Sequence, residues 1–223
     1  MNMNEISVII PTLNAAAVLP GTLAALGGHP GEIVVADAGS GDGTTDLARA
    51  HGARVITAPR GRGTQIVAGI AAARGGWLLV LHADTRLAAG WQTAAAGLMA
   101  SGPDRAGYFR FALDSAAPQA RRLEAAVAWR CRVLGLPYGD QGLVMSRALL
   151  ERVGGMREMP LMEDVDLIRR IGRRRLVALD VAAVTSAARW ERDGWRRRSA
   201  RNLFCLALYF AGVPPRFIMR LYA

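Results

Sequence analysis

Acidic, imidazole and guanidinium side chains recur in this chain just beyond short apolar runs, the places where a parallel sheet presents groups to a ligand. Asp37 closes the run Ile33-Val-Val-Ala36 and enters the turn Ala-Gly-Ser-Gly-Asp-Gly-Thr44. Its carboxylate can accept hydrogen bonds from a base or ribose, or it can simply hold the turn, with Asp42 or Thr44 capping the next helix. His82 and Asp84 follow the run Trp77-Leu-Leu-Val-Leu81 and so put polar groups at another strand end, where a lone histidine also serves packing. Arg60 and Arg62 precede a helix-compatible stretch, where guanidinium groups and free amides together make an anion site. Glu163, Asp164 and Asp166 open another helix. Acids there favour the macrodipole, and one of them, if part-buried, can act as a base. In Tyr138-Gly-Asp-Gln-Gly142, Asp140 and Gln141 can bond hydroxyls or form a routine turn.

The elements that must position these groups alternate. Strands are predicted near 6–10, 32–36, 54–57 and 77–82, with helices near 15–26, 44–51, 63–74 and 90–99, a rhythm that implies parallel βαβ crossovers. After Gly102-Pro103 the pattern changes to a strand near 107–113, a helix from Pro118 to about Val133, a strand near 142–146, a helix over 163–172 and a strand from Leu176 to Val181. A polar stretch then runs through Arg201, followed by an apolar helix from Asn202 to Val213. One domain over 1–201 is expected, with a nucleotide-binding half (1–101) and an acceptor-side half (102–201), plus a helical tail at 202–223.

The ordered set Pro11-Thr-Leu-Asn14, Asp37-Ala-Gly-Ser-Gly-Asp-Gly-Thr44, His82-Ala-Asp84 and Glu163-Asp164 resembles the family 2 glycosyltransferases, inverting enzymes of GT-A fold. The resemblance implies a three-layer α/β/α sandwich with a mostly parallel nucleotide-binding sheet. It implies that Pro11, Thr12, Asn14 and Asp37 hold the base and ribose, usually of a UDP-sugar, and that Arg62, with Arg60 as substitute, contacts the diphosphate. Asp84 maps to the metal ligand at the diphosphate. His82 stands where many members carry a second acid, which shifts the expected ion from Mg²⁺ toward Mn²⁺. Asp164 maps to the general base with Glu163 orienting it, and Asp140 and Gln141 to contacts with the transferred sugar. Ser186-Ala-Ala-Arg189-Trp190 falls at a Gln-x-x-Arg-Trp motif of processive synthases. Ser in place of Gln implies transfer of a single sugar, with Arg189 and Trp190 on the acceptor side. The Asn common near position 67 is replaced by Val67.

Composition bounds the rest. At 223 residues and 52% hydrophobic the chain can bury a core and is not disordered, and its two cysteines are too few for a disulfide framework or a structural zinc site. All 28 basic residues are Arg, and 20 of them lie from Leu113 onward against 11 acids. That asymmetry points to a polyanionic partner or a solvated face, and an Arg cluster ahead of an apolar tail suits peripheral contact with anionic lipid as well as packing. A lipid-linked acceptor would fit the former. Nucleic acid is disfavoured, because the Arg residues are not interleaved with aromatics on a strand platform. The N-terminus lacks the pattern of a signal peptide, so a cytoplasmic location is expected, at most peripheral to the membrane. Two alternatives stay open: a nucleotidyltransferase of similar topology, and a degenerate, non-catalytic module that binds membrane or nucleic acid.

Overall fold

The structure is a computed structural model that describes residues 3–27 and 30–222. The first half comprises β1 (Ile6–Thr12), α1 (Leu19–Leu26), β2 (Glu32–Asp37), α2 (Thr44–Ala50), β3 (Arg54–Thr57), α3 (Arg62–Ala72) and β4 (Trp77–Val80). The second comprises β5 (Thr85–Leu87), α4 (Trp91–Ala100), β6 (Ala106–Leu113), α5 (Pro118–Leu134), β7 (Leu143–Ser146), α6 (Arg147–Arg152), α7 (Glu163–Ile171), β8 (Leu176–Thr185), α8 (Ala188–Asp193), α9 (Trp195–Phe210) and α10 (Pro215–Tyr222). One eight-stranded sheet has the order β3-β2-β1-β4-β7-β6-β8-β5.

Strands β1 to β4 are parallel, and β7 enters antiparallel beside β4. The near-continuous apolar run of β1 is what a strand covered on both faces requires. On one face Ile6, Val8 and Ile10 pack against Leu19, Leu23 and Leu26 of α1 and Trp91, Ala95 and Leu98 of α4. On the other, Ile9, Val34 and Leu78 join Leu149 and Leu150 of α6 and Leu167, Ile168 and Ile171 of α7. The result is the expected three-layer sandwich with a mostly parallel sheet. Helix α3 lies so close to β1 that a Cβ on Gly69 would stand 2.4 Å from Cγ2 of Ile9.

Topology sets the site. From β1 the chain moves outward to β2 and β3, then crosses back to place β4 on the other side of β1. The carboxyl ends of β1 and β4 therefore flank a topological switch point, where open α/β sheets bind ligands. Register aligns Thr12 with Asp37 and Ile9 with Val80, so residues 11–15, 37 and 82–84 emerge at one edge.

Several expectations need correction. Helix α1 begins at Leu19 rather than at 15, because the amides of Ala15 and Ala16 donate to Thr44 Oγ1 (2.8 Å) and Asp42 Oδ2 (3.0 Å) instead of starting a helix. Strand β8 runs on to Thr185, four residues past the expected end, and pairs with the unforeseen strand β5. Helix α6 was also unforeseen; Ser146 caps it, accepting the Leu149 N–H at 2.9 Å. The polar stretch before 202 is helical, and the boundary expected between 201 and 202 falls inside α9. The tail is not a separate unit: Cys205 and Ile218 are fully buried against Leu161, Met162 and Val165.

Candidate active site

Two adjoining cavities occupy the carboxyl edge. The first, of about 340 Å³, is lined by Pro11, Thr12, Asn14 and Ala15 after β1, by His82 and Asp84 after β4, and by Arg62, Gln65 and Arg189. Its floor is stapled by Gln65, whose Nε2 donates to the carbonyls of Thr12 (2.6 Å) and Ala36 (2.9 Å), tying α3 to the ends of β1 and β2. The second cavity, of about 150 Å³, holds Asp164, Asp140, Tyr138, Ser186 and Trp190. Arg62, His82, Asp84 and Arg189 line both and so form a common wall.

Strain marks both cavities. Asn14 (φ 50°) and Met162 (φ 67°) are the two non-glycine residues with positive φ among those described, and each lines one cavity. Such conformations cost about 1–3 kcal/mol and persist where surrounding structure enforces them. Met162 turns the chain immediately before α7 and thereby aims Asp164 at the second cavity. Asn14 is held by Ser40, whose Oγ accepts its N–H at 2.8 Å, while its own side chain accepts from the Gly41 N–H at 3.0 Å.

The charges are interlocked. Arg62 Nε donates to the carboxylate of Glu163, a side chain 1% exposed. Burial pushes the Glu163 carboxyl up and the Arg62 charge only partly offsets this. Asp164 accepts from the Gly139 N–H and the Val165 N–H, both at 2.8 Å. Burial alone would raise its pKa, but Arg62, those two amides and His82 together hold it below the usual carboxylate range, so it is ionised at neutral pH. Burial, aided by Arg62, lowers His82 to about 4 against the opposing pull of Asp84 and Asp164, leaving a neutral imidazole. Asp140 is pushed up to about 6 by burial and by the charges of Asp164 and Asp84. Gly139 makes this crowding possible: a Cβ there would meet His82 Nε2 at 2.8 Å and Asp164 Oδ2 at 3.2 Å.

Of the residues expected from sequence, Pro11, Thr12, Asn14, Arg62, His82, Asp84, Asp140, Asp164, Arg189 and Trp190 line the paired cavities. Three do not. Asp37 is 3% exposed and spends both oxygens on Thr12 Oγ1 (2.8 Å), Ser40 Oγ (2.5 Å) and the Gly39 and Ser40 amides (2.9 and 2.8 Å). These bonds outweigh burial and lower its pKa; the carboxylate holds the turn and lines neither cavity. Gln141 is likewise buried, its Nε2 donating to Phe109 O at 2.9 Å and its Oε1 accepting the Tyr138 N–H at 3.2 Å, and it lines neither cavity. Glu163 acts behind the wall, through Arg62. Arg60 is exposed and lines neither cavity.

Tyr138, Arg198, Asn202, Leu206 and Tyr222 line the second cavity without having been foreseen. The signal for three of them was present: 198, 202 and 206 are spaced four apart and share one face of α9. The orientation of that face was not written in the spacing. Arg198 is anchored by Asp193, which accepts from it at 2.8 Å and also takes Arg201 at 3.3 Å.

Comparison with known proteins agrees with this geometry. The family model for glycosyl transferase family 2 matches residues 7–139, more than half of the chain, and the chain belongs to that family; its enzyme class is that of the glycosyltransferases. Over 88 residues it is 38% identical to uncharacterized glycosyltransferases of Mycobacterium bovis and Mycobacterium tuberculosis, a match that spans 39% of this chain and only 40% of each relative. Among solved structures, glucosyl-3-phosphoglycerate synthase from Mycobacterium tuberculosis, in complex with Mn²⁺ and UDP-glucose, superposes with a TM-score of 0.65 at 20% identity, covering 94% of this chain and 79% of that one. TarS from S. aureus, in complex with UDP-GlcNAc, gives 0.63 at 18%, covering 83% and 59%. At these identities the likeness is one of fold, and the fold is GT-A.

Proposed function

We propose that the protein transfers a single sugar from a UDP-sugar to an acceptor hydroxyl with inversion. The observation that carries this reading is the common wall: Arg62, His82, Asp84 and Arg189 stand between a cavity at the switch point and a cavity holding Asp164. A nucleotide in the first places its diphosphate at that wall, with the anomeric carbon facing the second. The acceptor oxygen attacks that carbon as Asp164 takes its proton; the bond from carbon to diphosphate breaks, and the nucleoside diphosphate leaves with the electron pair. Arg189, exposed and without an ion-pair partner among the described residues, and Arg62 offset the charge that develops. Asp37 contributes by fixing the turn beside the base, and Trp190 walls the acceptor side.

The donor set fits a divalent ion. Asp84 offers a carboxylate and His82 a neutral imidazole. No group of three His, Cys, Asp or Glu converges among the described residues, so an ion here would complete its shell with diphosphate oxygens and water, as Mn²⁺ and Mg²⁺ do. When bound, such an ion stabilises the leaving diphosphate. The UDP-sugars in the two structural neighbours support the donor class, and the Mn²⁺ beside UDP-glucose in the first supports a divalent ion.

A panel of sugar nucleotides incubated with the protein and Mn²⁺ tests the reading. Slow release of UDP from one of them, with the α-linked donor giving the β-anomer by proton NMR, is the expected result. Retention of the anomer would reject inversion, and nucleotide binding without release would favour a non-catalytic module.

A further inference from the structure

A groove of about 550 Å³ runs between α5 and α9 and opens at its inner end into the catalytic cavity. The two share Tyr138, Asp140, Trp190, Asn202 and Leu206. The groove is mostly apolar, with Phe111, Leu123 and Val127 on the α5 side and Trp195 and Leu206 toward α9. At its outer end Trp129, Leu134 and Leu203 are 53%, 50% and 65% exposed. Large apolar side chains left open around a groove mark a surface made for an apolar partner.

The junction with the catalytic cavity has the opposite character. Tyr138 Oη, Asp140 Oδ1, Trp190 Nε1 and Asn202 Oδ1 are all buried there without a hydrogen-bond partner. Leaving such groups unsatisfied costs about 1–3 kcal/mol each, so four at one place point to a polar ligand group that completes them. The groove is also lined by Arg122 and Arg196, both exposed and without an ion pair among the described residues. Apolar trough, polar junction and free cations together match one kind of molecule.

We propose that the acceptor is a membrane lipid: its apolar chain lies in the groove between α5 and α9, and its hydroxyl-bearing head meets the polar junction, within reach of Asp164. Arg122 and Arg196 face the anionic headgroups of the surrounding leaflet. The volume lies within the ~300–1,000 Å³ of sites that bury small ligands. The inference rests on the transferase reading for the fate of the head: its oxygen bonds to the anomeric carbon, its proton passes to Asp164 and the nucleoside diphosphate departs.

Trp129, Trp190 and Trp195 all line the groove and make occupancy visible. The full-length protein is titrated with 9,10-dibromostearate below its micellar concentration, with stearate as a non-quenching competitor. Saturable quenching that stearate reverses is expected. Ala126→Phe, which fills the groove, and Leu203→Glu, which makes its rim acidic, should each weaken it by roughly tenfold, the weight of one lost aliphatic contact. Both positions are exposed, so both variants should fold, as circular dichroism would verify. Equal quenching of parent and variants overturns the proposal. So does a parent dimer in sedimentation that Leu203→Glu dissociates, because a second copy then covers the groove. Hydrolysis of UDP-glucose without acceptor is measured alongside and should be unchanged. If no form releases UDP from any donor of the panel while quenching still follows the groove variants, the transferase reading fails and the lipid site stands.

Discussion

Three acids within four residues of α7 are sorted by their neighbours into three tasks. Asp166 is clamped by Arg157 (2.9 Å) and Arg170 (2.8 Å) and holds the helix; Glu163 fixes Arg62; Asp164 alone faces the cavity. Asp164→Asn preserves shape and removes the base, so turnover should fall by ~10²–10⁴ while calorimetric donor binding survives. Transfer at the parent rate would move the base elsewhere. Asp84→Ala should abolish the Mn²⁺-dependent part of UDP binding, with His82→Ala milder; unchanged affinity in the former would remove Asp84 from the metal site. Asp140 gives a pH signature. Its folded pKa of about 6 lies above the ordinary 3.8 of an aspartate, so the native state binds the extra proton between the two and is penalised above them. Asp140→Asn should therefore melt higher than the parent at pH 7.5, and the gap should close as pH falls through 6 toward 4. A gap that widens on acidification would contradict the assigned shift.

At the scale of elements, the site depends on how closely α3 sits on β1, since α3 carries both Arg62 and Gln65. Ala for Gly in a helix interior normally gains up to ~1 kcal/mol. At Gly69 the added methyl would meet Ile9 Cγ2 at 2.4 Å, and overpacking costs ~1–3 kcal/mol, so the clash should win. Gly69→Ala is expected to lower the urea midpoint and weaken nucleotide binding together; a more stable variant would show that α3 can shift without cost. Helix α9 has two faces with different duties. Arg198, Asn202 and Leu206 wall the catalytic cavity, while Leu203 and Phe204, 65% and 56% exposed, point away from the core.

For the whole molecule, the basic excess of the second half is not one uniform surface. Arg198 and Arg201 are tied to Asp193, so they cannot serve a lipid surface as freely as the cluster suggested. Arg196 and Arg197 are exposed and without ion pairs among the described residues. No described helix is long and apolar enough to cross a membrane. Each Arg near an anionic surface is worth about 1 kcal/mol, and replacing Arg196 and Arg197 by Ser should weaken pelleting with anionic vesicles by roughly thirtyfold. The attraction should also fall with salt. Equal pelleting with neutral vesicles, or none with either, would reject peripheral binding.

Strand periodicity and strand-end chemistry were legible in the sequence because both are local. A buried parallel strand must be apolar along its length, and the polar residue that ends it must lie at the ligand edge, so the place of Thr12, His82 and Asp84 at that edge is legible in the sequence. Family membership followed from the order of those motifs. What sequence could not decide was where a side chain points when two tasks suit it equally. Asp37 and Gln141 have the right types at the right places, yet each is engaged by backbone and side-chain partners that only the folded turns supply. The tail posed the same problem in reverse. Its apolar residues fitted packing and lipid contact alike, and the structure divides them, burying Cys205 and Ile218 and leaving Leu203 and Phe204 in solvent. That division, the cavity wall made by α9 and the groove beside α5 arise from contacts between segments far apart in the chain, which no local pattern of residues encodes.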